Sequence, residues 1–315
     1  MKMVKLRMKA ETKRNITLFA LLAPTLAIYL LFFVYPVVNG LTFGLYKYDV
    51  RTPLRYFIFL TPRATFVGLS NYINRAIDPL FQRALENTIV ITAANSIAQF
   101  LIGFGLAWLA RKYGRIGSVF LSVALIPIVL SFVSVGLMWK WIYNPQFGLL
   151  NSLVSFFHVN DLLRFVKLPI IPVSLPSTAS TAVFSVLLAS NWQGLGLYAV
   201  IYSAGLRTIP PSIYDSMRVD GLSDLQKIRH VVWPMMKDTI ALALVLVMSS
   251  SFKIFDLVFT LTGRGPTYTD VISVYLYRYL GAGDAGNAAA VAFYMVVIGL
   301  ALIIVQFRFF RTKSG

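Results

Sequence analysis

The chain has 315 residues, of which 57% are hydrophobic and only 13% charged, with a mean hydropathy of +0.72. Soluble domains carry about 25% charged residues, so this composition excludes one and points to a single large membrane domain. Cysteine is absent, which excludes disulfides and thiolate metal sites. The net charge of +17 would suggest nucleic acid in a soluble protein. Here the basic residues lie where membrane topology wants them, and no nucleic-acid partner is expected.

Six basic residues precede position 16, and the apolar run that follows, about 16–38, far exceeds the ~7–15 residues of a cleavable signal sequence. It reads as an uncleaved first span. Further apolar runs at about 86–110, 118–142, 180–205, 238–262 and 288–308 are each long enough to cross ~30 Å of hydrocarbon as a helix. The expected fold is therefore an all-α integral membrane protein of six transmembrane helices.

With the N-terminus inside, the inner segments hold 17 of the 29 Lys and Arg residues and the longer outer segments hold 11. The positive-inside rule then places both termini and the segment 210–234 in the cytoplasm. Outside, 56–60 is an aromatic stretch suited to the membrane interface, and 143–178 is punctuated by four prolines. Trp139, Trp141 and Tyr143 are expected at the interface, and Gly40 with Gly44 forms one G-x-x-x-G in the first span.

Segment 210–234 is the longest strongly polar stretch between two spans. Ser212 and Asp215 form an S-x-x-D helix start, Ser223 and Gln226 an S-x-x-Q capping box, and Asp220-Gly221 a break between two short helices. Pro234 stands where a further helix would begin. A folded, charged helix-turn-helix between two spans suggests a docking surface for a soluble partner.

Polar residues inside spans need a reason. Asn191, Trp192, Gln193, Tyr198 and Tyr202 form a polar-aromatic band in the fourth span, and Asn95 and Gln99 share a face of the second. Amides and aromatic faces suit a carbohydrate path, and equally a polar seam between helices. Lys253 and Asp256, three apart in the fifth span, are expected on one helical face, as a structural pair or as a polar wall of the path.

The pattern Asp215-Ser216-Met217, Gly221, Val231, Trp233-Pro234 resembles the EAA loop of ABC importer permeases, E-A-A-x3-G-x9-I-x-L-P. Gly221 and Pro234 match; Asp215, Ser216, Met217, Val231 and Trp233 are replacements. Arg218-Val219-Asp220-Gly221 is similar to the R-x-D-G of the carbohydrate branch. Asn87-Thr88, Asn191-Trp192, Ala204-Gly205-Leu206 before Ile209-Pro210, and Leu261-Thr262-Gly263 leading to Gly265-Pro266 follow in the family's order. Asp270 stands where a threonine is common.

The resemblance implies a type I ABC importer permease fold. Residues 1–84 would form a cytoplasmic tail, first span and outer loop, and 85–310 the transmembrane core with its coupling loop at 210–234. It implies that Tyr214, Met217 and Leu225 are apolar anchors on an ATPase subunit, that Asp215, Arg218 and Asp220 are ionic partners at its rim beside Ser216, and that Gly221 permits the turn. Implied partners are a second homologous permease, two ATPase domains, an extracytoplasmic solute-binding protein, membrane lipid and a carbohydrate solute, in the plasma (inner) membrane.

The chain has no G-x-x-x-x-G-K-[ST], so ATP and Mg are expected on the partner ATPases; no cofactor, metal site or catalytic residue is expected here. His158 and His230 have no ligand partners in sequence. Asp215 and Asp284 imitate an intramembrane aspartyl protease, but the topology puts them on opposite sides. An ion- or proton-coupled secondary transporter is the alternative; it needs coupling charges at mid-membrane, for which the chain offers only Lys253 and Asp256.

Overall fold

The computed structural model describes residues 17–47, 64–144, 146–157, 179–263 and 270–310. The expectations for the basic tail, for 56–60, for 158–178 with His158, and for 264–266 lie outside the described residues. Four helices are long and apolar enough to cross a membrane, and two sharply bent pairs make up to six spans if each pair is counted as one. Five of the expected apolar runs fall on these elements, and the run 238–262 covers Lys237–Phe252 and continues into the separate helix Asp256–Thr262.

The first span is α1, Thr17–Phe43. It contains a π turn at Leu30–Val34, just before Pro36. Proline lacks an N–H and clashes with the carbonyl four residues back, and the wider turn accommodates both defects. Strands β1 (Tyr46–Lys47) and β2 (Thr65–Phe66) pair antiparallel, followed by α2, Ser70–Ala76. These elements form one compact unit with residues 279–294. Within it Asn71 Nδ2 donates to the carbonyls of Gly44 and Tyr46, both at 3.0 Å, and the Tyr294 hydroxyl donates to the Tyr72 carbonyl at 3.0 Å. Gly44 approaches Tyr72, while Gly40 has open space around it among the described residues.

The second unit holds residues 77–278 and 295–315. Its longest element, α3, runs Pro79–Tyr113, with Asp78 as N-cap accepting from the Leu80 amide at 2.9 Å and Pro79 in the first turn. The helix starts several residues before the apolar run, because its first turns are polar and capped. The division expected at 84/85 falls inside it.

The third span is not one helix. Helix α4, Arg115–Leu125, ends in a 3-10 turn at Ile126–Val129 that contains Pro127, and Ser131 caps α5, Phe132–Ile142, so that the two meet at 100°. Ser131 Oγ accepts from the Ser134 amide at 3.1 Å, and Gln193 Nε2 donates to the freed Leu130 carbonyl at 2.7 Å. The break is thereby hydrogen-bonded within apolar surroundings, as backbone at membrane depth must be. Helix α6, Leu149–Phe156, follows, and then the fourth span, α7, Ala179–Thr208.

Helices α8 (Pro211–Val219) and α9 (Asp224–Met235) form the polar insertion, and α9 turns by 80° into α10, Lys237–Phe252. The fifth span is also broken: α10 stops at Phe252, and α11, Asp256–Thr262, begins after an irregular step. Helix α12, Ile272–Gly281, and the last span, α13, Ala285–Phe310, complete the chain.

Inside the second unit α3 packs along α7 and α10. One apolar cluster gathers Ile91, Val186, Ala189, Ile254, Leu257 and Val271; another gathers Phe104, Ala107, Tyr202, Leu206, Met236 and Val247. Between them along α3 lie the buried polar residues Asn95, Ser96 and Gln99. Large apolar side chains such as Ile97, Leu101, Val129 and Leu242 point outward, as suits lipid contact. Tyr143, expected at the interface, is instead buried, its hydroxyl donating to the Ser185 carbonyl at 2.9 Å; Trp139 is half-buried against it, and Trp141 alone of the three is exposed.

Asn87 and Thr88 tie α3 to the segment before α12. Asn87 Nδ2 donates to the Asp270 carbonyl at 2.9 Å, and the Ile272 amide donates to Thr88 Oγ1 at 2.9 Å. Asp270 is buried and accepts two bonds from the Arg278 guanidinium, at 2.5 and 2.9 Å. A bidentate arginine compensates the desolvated carboxylate, which an isolated charge there could not do.

Gly196 on α7 lets two backbones touch. A Cβ there would lie 2.0 Å from the Ala124 carbonyl oxygen and 2.3 Å from its carbon. Gly196→Ala must therefore push α7 away from the end of α4, at a cost of roughly 1–3 kcal/mol by overpacking. The expected result is a lower thermal midpoint in detergent, whereas Gly105→Ala, which meets nothing within 4 Å, leaves it unchanged or slightly raised because alanine is the better helix former. Equal midpoints would show that the contact is not formed in the membrane protein.

Candidate functional site: a helix-turn-helix surface and a polar cavity

The helix-turn-helix is built from local signals. Helix α8 closes with a Schellman arrangement: the Leu222 amide donates to the Met217 carbonyl at 3.2 Å, and the Gly221 amide to the Arg218 carbonyl at 3.1 Å. Gly221 has φ +66°, a left-handed conformation that glycine adopts without a Cβ penalty. Ser223 and Gln226 make a complete capping box at the start of α9. At the start of α8 the expectation fails: Pro210 is the N-cap, without a side-chain bond, and Ser212 lies inside the first turn. Pro211 presets the first helical φ, and its missing N–H is one that a helix start leaves free anyway. Pro234 follows a π turn at Ile228–Val232 within α9, the same device as at Pro36, and does not open a separate long helix.

The faces of these helices divide the expected anchors. Met217 is buried, so it is a core residue of this chain and not an exposed anchor; it projects from the face of α8 that is turned inward. Tyr214 is half-buried, with its hydroxyl donating to the Leu206 carbonyl at 3.1 Å. The Arg111 guanidinium lies 3.4 Å from the centre of its ring, and Arg111 Nη1 donates to the same carbonyl at 3.3 Å. Leu225 is 75% exposed, and Val219, which sequence reasoning passed over, is 88% exposed. Together they leave two apolar side chains exposed on either side of the turn in sequence. Val219 could have been found from the helical period, since it lies two residues beyond the inward Met217 and so on another face.

Asp215, Ser216, Arg218 and Asp220 are exposed around them. Asp215 and Arg218 are 3.4 Å apart on one face, and the Ser216 hydroxyl donates to the Ser212 carbonyl at 2.9 Å. A second anchor joins α9 to the end of α3, where Lys112 Nζ meets Asp224 Oδ2 at 2.8 Å, with Lys227 at 3.7 Å from the other oxygen. The Lys112 hydrogen bond holds the Asp224 carboxyl below the usual carboxylate range. The contact is thus present at neutral pH and is lost only as the carboxyl protonates in acid.

The other candidate region is a cavity of about 520 Å³ whose walls include Asn95 and Gln99 of α3, Gln193 and Tyr198 of α7, and Lys253 and Asp256 at the break after α10. Asn95 is the hub of its wall. Its Nδ2 donates to Ser251 Oγ at 3.1 Å, and its Oδ1 accepts from Ser190 Oγ at 3.0 Å and Asn191 Nδ2 at 2.8 Å. Gln99 Oε1 and Gln193 Oε1 are buried without a hydrogen-bond partner among the described residues. Both residues line the cavity, and a buried unpartnered acceptor is satisfied by a group that donates a hydrogen bond.

Not all of the expected band reaches this cavity. Asn191 stands behind Asn95, Trp192 packs edge-on against Trp139 with ring centres 5.9 Å apart, and Tyr202 is buried in the apolar cluster beside Phe100 and Phe104. Lys253 and Asp256 correct another expectation. They do not share a helical face, because Lys253 is the C-cap of α10 and Asp256 the first residue of α11. No ion pair joins them among the described residues; both line the cavity.

These features define a polytopic helical membrane protein with a polar chamber and a folded helix-turn-helix surface. Residues 99–314, more than half of the chain, match the family described as binding-protein-dependent transport system inner membrane component, and the chain belongs to that family. It is similar to the probable ABC transporter permease protein YurN of Bacillus subtilis, with 31% identity over 301 residues covering 93% of this chain and 96% of that one. It is 26% identical to the trehalose/maltose transport system permease protein MalF of Thermococcus litoralis, covering 94% of each. Its fold is that of a bacterial ABC transporter involved in the import of the acidic polysaccharide alginate, with a TM-score of 0.75 at 22% identity over 98% of this chain and 100% of that one. The chain is therefore a multi-pass transport subunit of a binding-protein-dependent system. The ion- or proton-coupled alternative is set aside.

Proposed function

We propose that this chain is one of two permease subunits of an ATP-driven importer for a sugar or related polyol or glycoside. Relatives named for sugars, among them the trehalose/maltose protein and a sulfoquinovosyl glycerol permease of Agrobacterium fabrum, support the solute class. So do the unpartnered Gln99 and Gln193 acceptors, which suit hydroxyl donors. Asn95, Tyr198, Lys253 and Asp256 complete the solute path in this reading, with Asn191 supporting Asn95 from behind. The second permease supplies the other half, and an extracytoplasmic binding protein delivers the solute.

Coupling rests on the outward pair Val219 and Leu225, on a turn fixed from both sides by helix caps. Two exposed apolar side chains ringed by Asp215, Arg218 and Asp220 suit a cleft on an ATPase subunit, an apolar centre within a polar rim. ATP and Mg are bound there and not on this chain. Arg111 and Lys112 then carry the movement of the docking helices into α3, which lines the cavity. Both termini and the docking turn face the cytoplasm, in the plasma membrane, and the core of the permease is 85–310.

The test is assembly. Val219→Asp with Leu225→Asp is expected to lower recovery of the ATPase subunit with the purified complex by tenfold or more, while membrane insertion of the chain is unchanged. Full recovery of the ATPase subunit with the double variant would remove the docking role from this turn.

A further inference from the structure

Between the end of α3 and the helix-turn-helix lies a second cleft, of about 480 Å³, separate from the polar cavity. Trp108 and Tyr214 supply aromatic walls, and Arg111, Lys112, Arg218 and Lys227 bring four cationic side chains from three helices. A single carboxylate, Asp224, stands among the lining residues. It is shared between Lys112 at 2.8 Å and Lys227 at 3.7 Å, so one negative charge faces two ammonium groups. Arg218 has Asp215 only at 3.4 Å, between side chains that are both more than two thirds exposed, and such a pair contributes little. Arg111 spends its flat face on the Tyr214 ring and one N–H on a carbonyl, which orients the group and leaves other donors of its fork. The cleft is thus a positively charged, aromatic-walled space, larger than a bare inorganic anion requires.

We propose that this cleft binds a phosphate ester, whose terminal oxygens bridge the cations of α3 to those of α8 and α9 while its organic part lies against Trp108 and Tyr214. A phosphate monoester fits better than a carboxylate because cations converge from three helices, and its phosphoryl group offers three acceptor oxygens for charge-assisted bonds. Its occupant would brace the helix-turn-helix against α3. Such a site would make the coupling element sensitive to a phosphorylated metabolite or to a phospholipid headgroup, which share this chemistry.

Trp108 provides a reporter. The full chain is placed in discs of phosphatidylcholine and titrated with glycerol 3-phosphate, with glycerol as the neutral control, following tryptophan fluorescence; Trp108→Phe assigns the signal. A saturable change is expected, weakened several-fold by Lys227→Gln, weakened by added salt, and tightened several-fold by Asp224→Asn, which removes the competing carboxylate and releases Lys112. The opposite signs of these two variants distinguish a binding site from general damage to the turn. If the soluble ester gives no change but phosphatidic acid added to the disc does, with the same two signs, the occupant is a lipid phosphomonoester headgroup and the site stands. No saturable change in either arm, or variants that shift binding in one direction or not at all, would overturn the proposal.

Discussion

Gly221→Pro is expected to abolish stimulated ATP hydrolysis by the reconstituted complex while the chain still inserts in the membrane. Gly221 sits at φ +66°, and its amide donates to the Arg218 carbonyl. Proline holds φ near −65° and has no N–H, so it removes both the turn and that bond, at a cost of about 3 kcal/mol or more. A nine-residue helix such as α8 has little stability of its own to offset this, since short helices depend on packing and caps. The direction of Val219 relative to Leu225 would be lost with the turn. Gly221→Asn serves as the control, because asparagine tolerates the left-handed region, and it should keep most of the stimulation. The measurement is ATPase activity with saturating binding protein, at least tenfold lower for proline than for asparagine. Full stimulation in the proline variant would mean that this turn is not the coupling element.

The parts of the molecule that were legible in the sequence are those whose cause is local. The capping box at Ser223 and Gln226 and the left-handed Gly221 depend on residues within a few positions of one another, and both stand as read. The six apolar runs were legible because crossing a membrane demands a continuous apolar length. The breaks within spans were not. Pro127 offered a signal for the first, but the second falls at Lys253, Ile254 and Phe255, where no proline or glycine marks it. Its cause lies elsewhere in the chain: the Ser273 hydroxyl donates to the freed Ile254 carbonyl at 2.6 Å, and Ile254 is buried in an apolar cluster. Periodicity therefore places Lys253 and Asp256 on one helix, when packing has already divided it.

The orientation of side chains around the docking turn was illegible for the same reason. Met217 and Leu225 are alike in hydrophobicity, yet Met217 is buried while Leu225 stays out, a difference decided by tertiary packing and not by local sequence. Tyr214 was read as an anchor for a partner, and its partner within this chain is Arg111, more than a hundred residues earlier. A pairing at that separation has no local signature. Tyr202 likewise carries the same side chain as Tyr198, yet one is enclosed by Phe100 and Phe104 and the other reaches the cavity.

Asn95→Leu is expected to stop transport without detaching the ATPase. Leucine is close in size, so the change keeps the volume of the side chain and removes its hydrogen bonds. Ser251, Ser190 and Asn191, on α10 and α7, each lose a bond to Asn95. Ser190 and Asn191 each keep a bond to the Leu187 carbonyl, so neither is orphaned. Pairs inside membranes contribute about 0.6 kcal/mol each, and losing the contacts that cross from α3 to α7 and α10 loosens the polar layer at the cavity. Helices α8 and α9 lie at the other end of α3, held through Arg111 and Lys112, and should be unaffected. Solute uptake is expected to fall by tenfold or more, with the ATPase recovered at the wild-type level. Asn95→Gln, which keeps the amide but lengthens it, should retain part of the uptake, and Tyr202→Phe, at a residue enclosed in the apolar cluster, should retain nearly all of it. If uptake survives Asn95→Leu intact, the polar layer is a seam between helices and the solute passes elsewhere. If the ATPase is lost as well, the two regions are one structural unit, and the division of labour between cavity and docking turn fails.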